Sequence, residues 1–123
     1  MKVKNIKFKA KSLISHNFIE GDLIRENEMT YIRRNKVNLI KVDPSSVCQF
    51  TGLKDVKGNE VWEGDILKDR YTGENLIIQW SDYLSGFLAK NKTDSVYSGC
   101  ELYKSMSWLI VVGNIFDIQP KCS

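Results

Sequence analysis

The sequence predicts a mainly β protein: a β-meander over residues 1–46, then a small β-barrel over residues 47–123, with at most one or two short helical turns. Three observations carry that expectation. Lysine alternates with apolar residues from Ile6 to Lys11, the two-residue period of a half-buried strand. Short β-branched and aromatic runs are separated by Gly, Asn and Asp throughout. Gly52, Gly58 and Gly64 recur six residues apart and punctuate the middle of the chain with turns.

In chain order, Ile6–Lys11 opens the meander. Phe18–Arg25 follows, with Gly21–Asp22 expected as a bulge or tight bend. Glu26–Glu28 is polar enough to turn, Met29–Arg33 returns, Arg34–Lys36 turns again, and Val37–Val42 is a third strand. Asp43-Pro44 is a helix-start signal with room for one 3₁₀ turn before Val47–Phe50 resumes β structure. Asp55–Gly58 and Glu63–Asp65 are tight turns, and Ile66-Leu67 begins a new strand. Tyr71–Glu74 turns into the strongly β-prone Asn75–Trp80. Gly86–Ala89 is another strand and Asn91–Ser95 a polar loop. Val96–Met106 fits a short helix or an irregular segment. Trp108–Ile118 closes the chain as a strand bent at Gly113-Asn114, and Pro120 marks the end of order.

Composition narrows the function classes. A 42% hydrophobic content supports a packed core, and a formal charge of +3 is far from the dense field of a dedicated nucleic-acid protein. The positive charge is uneven: Lys2, Lys4, Lys7, Lys9 and Lys11 crowd the N-terminus, and Arg33, Arg34 and Lys36 form a second cluster. Both read as solvated faces first and as phosphate contacts second. Cys48, Cys100 and Cys122 are dispersed, which argues for reduced thiols in a cytoplasmic protein. The N-terminus has no continuous apolar run of the kind a signal peptide carries, and Trp108–Val112 is too short to span a bilayer.

No nucleophile elbow, phosphate loop or dinucleotide fingerprint occurs, so the expectation is a non-enzyme without cofactor. His16 is the single histidine, and a dyad with Cys48 or Cys100 has no local support. Asp55, Glu63 and Asp65 form an acidic set that would need convergence to hold a metal. Gly52, Gly58, Gly64, Asp65 and Gly113 read instead as turn-forming fold determinants. Trp62, Trp80, Tyr83, Phe87 and Trp108 read first as core. Their alternative is a stacking platform in which Trp80 and Tyr83 meet bases while Lys68, Arg70 and Lys90 meet phosphates.

The run Val47–Asp55, then Gly58, then Glu60–Leu67 resembles the signature of the YopX family, small proteins of phages and prophages. The match departs at Cys48, where the family usually has Gly, and at Val56, where Lys is common. Phe18–Leu23 and Val111–Asp117 resemble the family's opening and closing elements, in the same order. The resemblance implies a coiled β fold with an SH3-like barrel toward the C-terminus, and a phage setting. It implies no reaction and no catalytic residue. The resulting expectation is a non-enzymatic phage accessory protein that binds or assembles, as a homo-oligomer in the host cytoplasm. Nucleic-acid binding by the barrel is the alternative.

Overall fold

The structure is a computed structural model and describes residues 2–93 and 95–117. It is mainly β: the described residues form eleven strands in two antiparallel sheets, with one short α-helix. The chain forms two compact units, Met1–Phe50 and Thr51–Ser123.

The first unit is built from β1 (Phe8–Lys11), β2 (Phe18–Glu26), β3 (Met29–Arg33), β4 (Leu39–Lys41) and the start of β5 (Cys48–Lys54). Its strands lie in the order β4-β3-β2-β1-β5, so the meander pairs neighbours in sequence and brings β5 back beside β1. Alternation decides the faces. Ala10, Ile32 and Val42 form the core, and Phe8, Ile19, Leu23, Ile40 and Val47 pack against it.

Three details differ from the expectation. β2 runs unbroken through Gly21, with no slip of register against β1 or β3. Glycine is needed there for a different reason: a Cβ would collide with the backbone carbonyl of Arg33. The third strand is trimmed to Leu39–Lys41, because the Asn35 carboxamide accepts hydrogen bonds from the N–H groups of Val37 and Asn38 and holds both in the turn. The β2–β3 turn has two residues, Asn27 at φ 51° and Glu28 at φ 64°, the type I′ geometry. The Asp43 carboxylate caps the 3₁₀ turn Pro44–Ser46 through the N–H of Ser45.

The second unit contains the end of β5, β6 (Glu60–Trp62), β7 (Asp65–Asp69), β8 (Asn75–Ser81), β9 (Gly86–Lys90), β10 (Val96–Ser98) and β11 (Leu109–Asn114). β5 and β6 pair as a hairpin, and the other five form a sheet in the order β10-β9-β8-β7-β11. The helix α1 (Gly99–Ser105) follows β10, so the ambiguous 96–106 segment is a short strand and then two turns of helix. Leu102 and Met106 from this segment join Val61, Leu67, Leu76, Ile78, Ala89 and Leu109 in the second core. No closed barrel is found among the described residues: β10 and β11 are the outer strands of an open sheet.

The closing strand is shorter than expected. β11 ends at Asn114, a 3₁₀ turn spans Ile115–Asp117, and its irregularity is a bulge between Val111 and Gly113. Ile118, Pro120 and Cys122 lie outside the described residues.

Candidate functional site

The glycine-punctuated middle of the chain is a knot of backbone hydrogen bonds. Asp55, 5% exposed, ends β5 and turns the chain toward β6. Its Oδ1 accepts from the N–H groups of Lys57 and Asn59, and its Oδ2 accepts from Asn59 Nδ2 and from Val111 N at 2.9 Å. Burial alone would raise this carboxyl. The N–H of Val111, the Asn59 side chain and the N–H groups of Asn59 and Lys57 overcome that and hold it below the ordinary 3.8. Val56 N also donates to Leu109 O at 3.4 Å, so the Asp55-Val56 backbone covers the outer edge of β11.

Asp65 does the same for the next turn. Its Oδ2 accepts from Trp62 N at 2.7 Å and its Oδ1 from Asn114 Nδ2 at 3.0 Å. Asn114 Oδ1 accepts from Phe116 N. Gly64 sits inside this lock at φ 84°, and its carbonyl accepts from Ile115 N. Gly52 and Gly58 also have positive φ, at 83° and 85°. Gly113 is different: it lies in β11 opposite Ile66, outside the left-handed region, and a Cβ there would meet nothing within 4 Å.

These side chains are committed to backbone groups. Among the described residues no three His, Cys, Asp or Glu side chains come together as a metal site, so Asp55, Glu63 and Asp65 do not converge. His16 is exposed in the turn after β1, whereas Cys48 is fully buried with its thiol directed at Ser46 O. Cys100 is exposed on α1. No helix is long and apolar enough to cross a membrane among the described residues.

Of the N-terminal lysines, Lys7, Lys9 and Lys11 line one face of the first sheet, in mixed company. Lys7 pairs with Glu20 at 3.3 Å, Lys9 lies opposite Glu20, and Arg33 lies opposite Asp22. The ammonium groups of Lys9 and Lys11 both sit over the Phe18 ring, at 4.5 and 4.4 Å. An acidic row on β2 therefore runs beside the basic row on β1, which favours the solvated-face reading of that cluster.

In the second sheet, register separates the five candidate binding residues. Trp80 and Phe87 are opposite one another, edge to face at 5.2 Å, on the side that carries Ile78 and Ala89. Trp80 is 45% exposed at the sheet's end, with its indole N–H on Asp82 Oδ1. Tyr83, 94% exposed, is in the β8–β9 turn. Lys68 and Lys90 lie on the other side. Lys68 pairs with Asn75 and Ile110, and Lys90 pairs with Ile77 and Val96. Arg70 is exposed just past the end of β7. Trp80 is thus on the face opposite Lys68 and Lys90, and Tyr83 and Arg70 lie beyond the strands.

Lys68 and Lys90 belong to a surface with a character of its own. The outward positions of the five strands carry Lys68 and Lys90 together with half-buried Ile66, Ile77, Leu88 and Ile110. Asn75, Gln79, Ser81, Gly86, Val96 and Ser98 share it, and none of these outward strand positions is Asp or Glu. The aliphatic members escaped the sequence reading. The signal was Leu76-Ile77-Ile78, apolar on both faces where a strand with one solvated face alternates.

None of the curated proteins matches this chain. A family model described as YopX protein matches residues 1–120, nearly the whole chain, and the protein belongs to the YopX family.

Proposed function

We propose that this protein is a non-enzymatic binding module, and that the outward face of the β10-β9-β8-β7-β11 sheet takes a partner of negative charge. The supporting observation is the register that sets Lys68 and Lys90 among Ile66, Ile77 and Ile110 with no carboxylate at the outward strand positions. Aliphatic surface supplies the area to desolvate, and the lysines on the same face select the sign of what covers it. A two-fold contact between two copies across this face would set lysine against lysine, so a different molecule suits it better. The carboxylates of the glycine-rich stretch serve the backbone, consistent with binding rather than catalysis.

The test is a titration of the protein into fluorescein-labelled poly-glutamate and into labelled oligothymidine, at about 50 and 200 mM salt. Binding of either probe that weakens with salt and falls severalfold in the Lys68→Gln/Lys90→Gln variant is the expected result. No binding of either probe at the lower salt removes the reading.

A further inference from the structure

The two edges of the second sheet are unequal. At β11 the Asp55 carboxylate and the Val56 N–H occupy Val111 N and Leu109 O, which covers that edge. At β10 the ladder runs differently. Asn91 N donates to Ser95 O, so the hydrogen-bonded pairs with β9 fall at Ser95 and, two residues on, at Tyr97. Val96 and Ser98 are the alternate residues, and their N–H groups turn away from β9 and meet no backbone acceptor among the described residues. The short β4 edge of the first unit is instead crossed by Leu13, whose N–H takes Lys41 O. A three-residue edge is too short to invite indiscriminate pairing, yet it offers a register to a chain that brings further affinity of its own.

Resting on the binding reading above, we infer that the partner is an acidic polypeptide segment that adds to the open edge of β10 as an extended strand. Its backbone accepts from Val96 N and Ser98 N, the main-chain contacts of strand addition. Its outward side chains lie beside Val96, two strand spacings or about 9.6 Å from β9, where a glutamate and the Lys90 side chain reach one another across Val96. Its inward side chains lie beside Tyr97, which packs on the second core, so they are apolar. Nucleic acid fits less well. Of the rings that would stack bases, Trp80 is on the opposite face with Phe87 and Tyr83 is in the β8–β9 turn, while the outward face is aliphatic.

Val96→Pro isolates the edge. The N–H it deletes points away from the sheet, so no ladder bond is lost and proline is tolerated. The probe is a fluorescein-labelled peptide alternating glutamate with valine, with a lysine–valine peptide and oligothymidine as controls. The expected result is binding of the glutamate peptide that weakens about five- to tenfold in Val96→Pro, as loss of one main-chain hydrogen bond predicts. Amide exchange supplies a second readout that needs no variant: Val96 and Ser98 N–H groups exchange rapidly in the free protein and become protected with the glutamate peptide. Tight binding of oligothymidine alone overturns the strand-addition inference and leaves the anion-binding reading of the lysine face intact. So does peptide binding that is lost in Lys68→Gln/Lys90→Gln but unchanged in Val96→Pro, with no protection at Val96. A dimer that forms without peptide and dissociates in Val96→Pro also overturns it.

Discussion

The carboxylate of Asp55 accepts the backbone N–H of Val111 across 56 residues of chain, at 2.9 Å. One side chain therefore closes its own hairpin turn, through Lys57, Asn59 and the Asn59 carboxamide, and also fastens the last strand of the sheet. Asp55→Ala leaves up to four donors without their acceptor in a site that is nearly closed to water. At about 1–3 kcal/mol for a buried group left unpaired, with partial rescue by solvent at the turn, the loss is about 2–4 kcal/mol. Urea denaturation followed by tryptophan fluorescence measures it. A change under about 0.5 kcal/mol would show that Asp55 does not hold β11.

The same carboxylate makes stability depend on acid. Its folded pKa lies below the unfolded 3.8, because backbone and Asn59 donors outweigh the burial that opposes them. Its contribution is therefore complete above the unfolded value and disappears as pH falls through the folded one. The stability gap between the wild type and Asp55→Ala is expected to stay constant from neutral pH to about pH 5 and to narrow below pH 4. A gap that stays constant down to pH 2 would contradict the assignment.

Much of this was legible in the sequence, and the reasons differ by element. Strands with one solvated face, such as β1, announce themselves by alternation. Turns with Asp or Asn at their start, such as Asp43-Pro44, carry their chemistry in the residue type. The role of Asp65 as an acceptor of a turn N–H was readable in the same way, but its second partner, Asn114, was not. A contact 49 residues distant leaves no local trace. The outward face was hidden for a related reason. Lys68, Ile77 and Lys90 become neighbours only through the register of three strands, and register is set by turns and core packing together.

Gly64 and Gly113 are a matched pair of tests. Gly64 is at φ 84°, and a Cβ would lie 3.3–3.4 Å from Ile115, Asn114 and Phe116. Gly113 is a strand residue with open space around its α-carbon. Gly64→Ala combines left-handed strain with crowding and costs about 1–2 kcal/mol or more, while Gly113→Ala stays within about 0.5 kcal/mol. Thermal melts of both variants decide it. Equal losses would mean that glycine at 64 is not required by its backbone.

Glu28 offers a stabilising change. It occupies the second position of a type I′ turn at φ 64°, where a glutamate Cβ is strained and glycine is favoured. Glu28→Gly relieves about 1 kcal/mol of that strain, offset partially by the greater freedom of glycine in the unfolded chain. The expected gain is roughly 0.5 kcal/mol or more, read as an increased midpoint in urea with unchanged slope. A lower midpoint would show that the turn is not of this type.

Asn114 and Asp65 share the closing lock, and one substitution turns their attraction into repulsion. Asn114 Nδ2 donates to Asp65 Oδ1 at 3.0 Å, and both residues are buried. Asn114→Asp replaces that donor with a second carboxylate. Two such groups at this distance cannot both stay ionised without several kcal/mol of penalty, so the pair holds a proton and its apparent pKa rises. A group whose folded pKa is raised binds more protons folded than unfolded, so this variant gains stability as pH falls. At pH 7 the loss is about 3 kcal/mol, and it shrinks by pH 5. Asn114→Ala is the control: it loses the hydrogen bond without adding charge, and its deficit is the same at both pH values. Equal deficits for Asn114→Asp at pH 7 and pH 5 would mean that the 114 side chain does not face the Asp65 carboxylate in the folded protein.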